Sequence, residues 1–391
     1  MFEHIIYHKK IKGSKNNMKK VGILTITDGA NYGNRLQNYA MQELLSSLDL
    51  EVETIQRETS RDKHGIVLLK YLAKQYIKRL IGKNNTDFAL RERKRKFSEF
   101  NRTYIRFSNT CLSNNQAPED LKNQYDYFIC GSDQIWNANF DVVKCDIKNH
   151  LAAFAYPCQR ISFAASFGTS RIASGFEDIF KNELSKFKAI AVREDAGKAI
   201  VESLTGKNAT VVLDPTLLLN QNDWVHVENK PNFIDEEEYI VTYFLGGRNK
   251  RIQSILQTIA SNENLKIINL EIEFIRDDSI EDQDVFLTTP DEFVWLIHHA
   301  KYVLTDSFHA SVFSIIFKKP FLVYERIATE KGNDMSSRID TLLSKFNLQE
   351  CRDNIDNPTK IPVKPDYSAV NRQLEIERKK AIDFLKKALE D

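Results

Sequence analysis

The sequence has no paired cysteines, no long apolar run and almost no excess of charge of either sign. Its five cysteines include no Cys-x-x-Cys pair, so we expect reduced thiols in a cytosol and no zinc site. No apolar run approaches the ~20 residues of a transmembrane helix, and residues 1–20 are too polar for a signal peptide. Lysine and arginine number 55 against 54 acidic residues, which gives no sign of nucleic-acid binding.

The length and the apolar content suit two domains, because 391 residues that are 42% hydrophobic can bury two cores. Short apolar runs alternate with amphipathic segments, which is typical of an α/β fold with a doubly wound parallel sheet. We predict the following parts: an N-terminal extension at 1–18, a first Rossmann-like domain over 19–225 with a basic helical insertion about 62–108, a second Rossmann-like domain over 236–365, and a closing helix over 366–391.

The predicted insertion contains an amphipathic stretch followed by a strongly basic run at 90–97. We interpret both as solvated helices that cover the sheet. A peripheral contact of the basic run with anionic lipid is the alternative.

The stretch 305–311 follows a predicted buried strand and precedes a short apolar helix. The carboxyl edge of a parallel sheet is where ligands of open α/β folds bind, and a helix start offers free N–H groups to an anion. His309 would lie at that edge together with Asp306 and Ser307. Taken alone, such a histidine is more often a structural residue than a catalyst.

Other loops carry candidate ligand-binding side chains. A loop with two glycines at 27–34 precedes a helix predicted to begin near Arg35, and here an anion cradle competes with a plain tight turn. The loop 131–137 has the residues of a polar ligand edge with one flat apolar wall, or of a helix cap. A glycine loop with cations at 246–251 suits phosphate. His298 and His299 occupy successive helix positions, so we expect them to be structural and predict no metal site.

Several separated stretches resemble the polysaccharide pyruvyl transferase family, in the family's order, from about Lys20 to Leu348. They are residues 31–40, 131–137, 192–197, 214–218, 305–310 and 335–339. The resemblance implies a glycosyltransferase-B-like fold, in which two Rossmann-type domains face a cleft. It also implies transfer of pyruvate from phosphoenolpyruvate to a sugar as a ketal, with the family's histidine at His309. Two positions depart from the family: Ala310 replaces a glycine, and Ser307 stands where some relatives have arginine.

The implied donor carries a carboxylate and a phosphate, so its pocket needs several cations or N–H groups. Arg193, at the end of a predicted strand, is our first candidate. His309 is predicted as the general acid or the partner of the leaving phosphate, with Asp133 or Asp306 accepting a hydroxyl proton. The other candidate substrate-binding residues are Arg35, Asn31, Gly33, Ser132, Gln134, Trp136, Arg248, Ser307, Arg326 and Arg338.

The predicted partners are phosphoenolpyruvate, as donor substrate, and a carbohydrate acceptor, either free or lipid-linked. The chemistry needs no cofactor and no metal. We expect a cytoplasmic protein, with the inner face of the membrane as the alternative location. A glycosyltransferase that uses sugar nucleotides would share the fold and the histidine, and a non-catalytic carbohydrate-binding protein would share the fold.

Overall fold

The structure is a computed structural model that describes most of the chain. The described residues are 18–27, 29–57, 85–235, 237–270, 282–326, 337–353, 361–362 and 364–390. Most of the predicted extension, the part of the predicted insertion at 62–84 and the loop at 331–336 therefore lie outside the described residues.

The first sheet has seven parallel strands in the order β3-β2-β1-β4-β5-β6-β7. The strands are β1 Lys20–Leu24, β2 Glu51–Arg57, β3 Phe107–Leu112, β4 Tyr127–Cys130, β5 Arg160–Ala165, β6 Ala189–Val192 and β7 Thr210–Val211. Side chains alternate between two apolar clusters: Val21 and Ile23 pack on one face, and Leu24 and Phe128 on the other. Burial on both faces explains why these strands appear in the sequence as continuous apolar runs.

Helices cover this sheet. They are α1 Tyr32–Ser46, α2 Asn85–Tyr104, α3 Asp141–Lys144, α4 Ile147–His150, α5 Glu177–Leu184, α6 Asp195–Thr205, α7 Pro215–Leu218 and α8 Gln221–Val225. The strand order reverses between β1 and β4, so the topological switch point of the sheet lies between these two strands. A switch point is the usual ligand position in a parallel sheet.

The second sheet has four parallel strands in the order β11-β10-β8-β9. Its elements are β8 Tyr239–Tyr243, α9 Lys250–Glu263, β9 Lys266–Leu270, α10 Gln283–Phe286, α11 Pro290–His299, β10 Tyr302–Thr305, α12 Phe308–Ile316, β11 Phe321–Val323, α13 Ser337–Lys345 and α14 Tyr367–Leu389. Ile240 and Leu304 pack on one face and Val241 and Val303 on the other. The predicted fold class, two Rossmann-like doubly wound sheets, is confirmed, and the exact domain limits stay a prediction.

A single hydrophobic cluster joins the two sheets and brings α1 against α11 and α12. The ring of Tyr32 in α1 stacks on Phe293 in α11 with centroids 4.6 Å apart, and Trp224 meets Phe313 in α12 at 4.8 Å. Helix α14 returns to the first sheet, where Leu385 packs in the same cluster as β1. The first turns of α1 and α12 are therefore held next to each other by a buried apolar contact.

The described part of the basic segment, α2, is only partly solvated. Arg93 is fully buried, lies 5.1 Å from the ring of Tyr32 and 4.9 Å from that of Phe286, and donates to the Phe286 carbonyl. A guanidinium can be buried in this way because aromatic faces and a carbonyl replace water around it. In the described part of the chain, no helix has both the length and the apolar character needed to cross a membrane.

Candidate active site

The carboxylate of Asp214, directly after β7, is the centre of the candidate site. Its Oδ2 accepts hydrogen bonds from Arg193 Nη1 at 2.8 Å and from Ser132 Oγ at 2.7 Å. Its Oδ1 accepts from the backbone N and the Oγ1 of Thr216 at 3.0 and 2.7 Å, which caps α7. Three chain segments that are far apart in the sequence thus meet at one fully buried carboxylate.

The charge of Asp214 is strongly stabilised. Burial acts to raise its pKa, but the interactions with His309, Arg193 and the Thr216 hydroxyl outweigh burial. The pKa of Asp214 therefore lies well below the usual range for aspartate. The carboxylate is an anion at every pH at which the protein would work.

His309 lies beside Asp214 and comes from the other sheet. Ser307 caps α12, and His309, the second residue of that helix, places its Nε2 3.7 Å from Asp214 Oδ2. This is an ion-pair distance when the ring is protonated and is too long for a hydrogen bond. The Nε2 atom is buried.

The ring of His309 rests on the first turn of α1. A Cβ added to Gly33 would stand 2.0 Å from Nδ1 and 2.5 Å from Cγ of His309. No side chain fits in that space, so glycine is required here for close approach and not for an unusual backbone angle. The predicted glycine loop at the start of α1 therefore seats the imidazole.

Arg193 contacts the same oxygen of Asp214 that faces His309, and it is almost fully buried. Its guanidinium carbon is 4.4 Å from the ring centroid of Phe308, and its Nη2 is 3.8 Å from Asp133 Oδ1. Burial acts to lower the pKa of Arg193, but nearby carboxylates, with Asp214 the strongest, more than offset burial and raise it. Arg193 is a permanent buried cation.

Two further guanidinium groups come from the second sheet, and one of them, that of Arg338, is affected by the charges of both Arg193 and Arg326. Arg338, in the first turn of α13, is buried, and its pKa falls to about 9 because of burial first and of the charges of Arg193 and Arg326 second. Glu194 and Asp133 oppose this effect only in part. Arg326, after β11, lies with its Nε 3.8 Å from Asp306 Oδ2. The three arginines and the buried carboxylates of Asp133, Glu194, Asp214 and Asp306 thus form one cluster of mixed charge.

A family model described as polysaccharide pyruvyl transferase matches residues 31–326. The chain belongs to the polysaccharide pyruvyl transferase family. The predicted family is confirmed, and with it a transferase that acts on a carbohydrate acceptor. The matched range includes Gly33, Arg193, Asp214 and His309 but ends before Arg338.

Solved structures similar to this pyruvyl transferase family member include two UDP-GlcNAc 2-epimerases and a glycotransferase. The epimerase from Neisseria meningitidis, bound to UDP-GlcNAc, is 10% identical over 95% of this chain and 100% of that chain, with TM-score 0.44. The epimerase from Methanocaldococcus jannaschii is 12% identical over 92% and 99%, with TM-score 0.43. The glycotransferase of kitacinnamycin is 9% identical over 96% and 100%, with TM-score 0.44. Similarity at this level carries no argument about function, and no curated protein matches the sequence.

The two predicted proton acceptors of this pyruvyl transferase have other hydrogen-bond partners. Both oxygens of Asp306 accept from backbone N–H groups, those of Leu245 at 2.6 Å and Gly246 at 2.8 Å, and burial raises its pKa. Asp306 therefore holds the loop after β8, and its predicted catalytic role has no structural support. Asp133 Oδ1 accepts from Gln134 N at 2.8 Å, and its position near Arg193 keeps it in the site.

Among the predicted binding residues, Trp136 is the clearest error. It is 1% exposed and packs in the core against Phe167 and Phe187, because its indole N–H finds a partner in the His150 carbonyl. It forms no wall of the site.

The remaining candidates have mainly structural contacts. Asn31 caps α1, and Gln134 accepts a hydrogen bond from Asn137 Nδ2. Arg35 donates to the Gly29 carbonyl at 2.6 Å, and Arg248 is half-buried in the loop before α9. None of these contacts is with His309 or Asp214.

Two acidic residues of the site were not among the predicted site residues. Asp214 was noted only as part of a family-like stretch, although an Asp-Pro-Thr sequence directly after a strand indicates a helix cap at the ligand edge of the sheet. Glu194 is fully buried, and its Oε1 accepts from Ser166 Oγ at 3.0 Å and Phe167 N at 2.9 Å. The sequence feature that could have indicated Glu194 is its position directly after Arg193, at the end of β6.

Proposed function

We propose that this chain moves pyruvate from phosphoenolpyruvate to two hydroxyl groups of a sugar, forming a cyclic ketal and releasing phosphate. The sugar would belong to a surface polysaccharide or to its lipid-linked precursor. The observation that supports the proposal most is that Arg193 and His309 both lie at the Asp214 carboxylate, with Arg338 close enough to Arg193 and Arg326 for their charges to lower its pKa. Several cations and one imidazole suit a donor with a carboxylate, a phosphate and a methylene carbon to be protonated.

The depressed pKa of Arg338 supports an anionic ligand. Burial and two neighbouring cations lower its pKa to about 9, so the side chain is still a cation at neutral pH, but its charge is less stable than that of a solvated arginine. A bound anion would stabilise that charge: one pair of unit charges at ~4 Å is worth ~4 kcal/mol at an effective dielectric constant of about 20. We therefore assign donor binding to Arg193 and Arg338 first, with Arg326 at the edge.

His309 would supply the first proton. Its Nε2 is buried and faces Asp214, and we assign the proton transfer to the other ring nitrogen, Nδ1, which packs beside Gly33. The protonated ring gives its Nδ1 proton to the methylene carbon of phosphoenolpyruvate, so a methyl group forms and the adjacent carbon becomes cationic. Asp214 is a positioning residue that stabilises the protonated ring.

Two hydroxyl groups of one sugar would then attack in turn. The first attacks the cationic carbon and returns its proton to His309 Nδ1, which gives a tetrahedral adduct that still carries phosphate. The carbon–oxygen bond to phosphate then breaks, the second hydroxyl attacks, and its proton leaves with the phosphate. One donor and one diol thus give one ketal and one phosphate, with no net change in oxidation state.

Purified full-length protein, incubated with phosphoenolpyruvate and carbohydrate acceptors, would test the proposal. The expected result is phosphate release that requires an acceptor, together with a new ketal methyl signal in the acceptor's NMR spectrum. His309→Ala should fold normally and lose both signals, while His226→Ala, at an exposed histidine, should keep them. Acceptor modification by a sugar nucleotide with no use of phosphoenolpyruvate, or full turnover by His309→Ala, would contradict the proposal.

A further inference from the structure

A second cluster of side chains lies at the end of α11. It consists of Glu228, in the segment that links the two sheets, and of His298 and His299, the last two residues of the helix. One ligand atom from each lies within 4.8 Å of the others, and the His298 Nδ1 to Glu228 Oε2 distance is 2.8 Å. Side chains at successive helix positions usually point in different directions. Here the helix ends at His299, and the two imidazole rings lie close together, with centroids 4.5 Å apart.

We propose that Glu228, His298 and His299 bind a divalent transition-metal ion of the Zn²⁺ type. Two imidazoles and one carboxylate, completed by water, form a known zinc ligand set. Tetrahedral bonds of about 2.0–2.1 Å place ligand atoms roughly 3.3 Å apart. The Glu228–His298 distance of 2.8 Å therefore needs to open by about 0.5 Å, and separations of up to 4.8 Å need to close by about 1.5 Å or less, which small side-chain rotations provide.

The surroundings of the two rings suit metal binding. His299 Nδ1 lies 3.0 Å from the Trp295 carbonyl, so it donates its proton there and leaves Nε2 with a free electron pair for an ion. The ring of His299 stacks on Trp295 at 4.1 Å, and that of His298 on Phe317 at 4.3 Å. These contacts orient both rings, and the exposure of His299 gives an ion access from solvent.

The position of the cluster indicates what an ion would do. Glu228 belongs to the linker between β7 and β8, and the histidines belong to a helix of the second sheet. The backbone N of Asn229 already donates to the carbonyl of Asp291 in the same helix at 3.3 Å. A bound ion would strengthen the existing link between Glu228 and His298 and would stabilise the junction between the sheets, independently of the reaction proposed above.

Titration of the metal-free full chain with zinc chloride in a calorimeter would test this site. We expect one ion per chain, a thermal midpoint that rises with zinc concentration, and, with Co²⁺ as the probe, the visible bands of tetrahedral coordination. Glu228→Gln and His299→Ala should each weaken binding roughly ten-fold or more. His226→Ala, which removes an exposed histidine from the same linker, should bind as the wild type does.

Two results would overturn the proposal. One is zinc binding by His299→Ala that equals that of the wild type. The other is that the wild-type chain binds no zinc while Glu228→Gln still lowers its stability. That result would make the cluster a simple ion pair between Glu228 and His298. Because His299 is exposed, its truncation should leave the fold intact, and the thermal midpoint without zinc checks this.

Discussion

Replacing Gly33 by alanine should remove activity while leaving the protein folded. The added methyl carbon would stand 2.0 Å from Nδ1 of His309, and ordinary contact begins at 3.4 Å. The ring must therefore retreat by about 1.4 Å. Since Nδ1 is the nitrogen to which we assign proton transfer, the substitution acts directly on the proposed chemistry without removing a functional group.

The expected magnitudes separate the effect on the reaction from the effect on stability. A misplacement of about 1 Å at a reacting group costs roughly 100-fold in rate, so kcat should fall about 100-fold or more. Crowding a packed region costs ~1–3 kcal/mol, and alanine regains up to ~1 kcal/mol over glycine within a helix. The free energy of unfolding should therefore fall by no more than about 2 kcal/mol.

Acceptor-dependent phosphate release and urea unfolding, measured on the same preparations, give both numbers. Gly197→Ala is a matched control, because Gly197 is also helical and its added methyl would lie 3.3 Å or more from its neighbours. It should keep wild-type turnover. Gly33→Ala could instead turn over as fast as Gly197→Ala, with an unchanged KM for phosphoenolpyruvate. In that case proton transfer does not depend on the packing of His309 against α1, and our assignment of Nδ1 is wrong.

Further substitutions test the charges of the site. Asp214→Asn leaves Arg193 buried without its partner at 2.8 Å and should lower the free energy of unfolding by ~3–5 kcal/mol at neutral pH, measured by urea unfolding. Because the pKa of Asp214 is depressed, the stabilisation by its charge is complete above about pH 4 and is lost as the pH falls. A difference in unfolding free energy between wild type and variant that did not shrink in acid would contradict this account. Asp306→Asn keeps one acceptor for the loop after β8 and should cost ~1–2 kcal/mol with kcat nearly unchanged, whereas a 100-fold loss of kcat in a folded protein would restore Asp306 as the proton acceptor. Arg338→Met removes a cation whose charge is opposed by those of Arg193 and Arg326, so the thermal midpoint should stay or rise. The KM for phosphoenolpyruvate should increase ten-fold or more. An unchanged KM would exclude Arg338 from donor binding.

The sequence by itself determined the strands, the helices and the edge of the sheet where ligands bind. Strands such as β4, buried on both faces, need continuous apolar residues, and the caps and prolines at helix starts are local chemistry. For the same reason His309 could be predicted near the carboxyl end of β10, where it lies in the first turn of α12. These features depend on residues that are neighbours in the chain, so a pattern of neighbours is enough to predict them.

The tertiary structure alone decided which of these edge residues meet. Ser132 and Asp214 are 82 positions apart and share a hydrogen bond, and Gly33 and His309 come together only because one apolar cluster presses α1 against α12. Trp136 shows the converse, since its loop suggested a ligand wall and packing drew it into the core. Local patterns contain no information on the angle and depth at which two helices pack, and that geometry brings His309, Asp214 and Arg193 together.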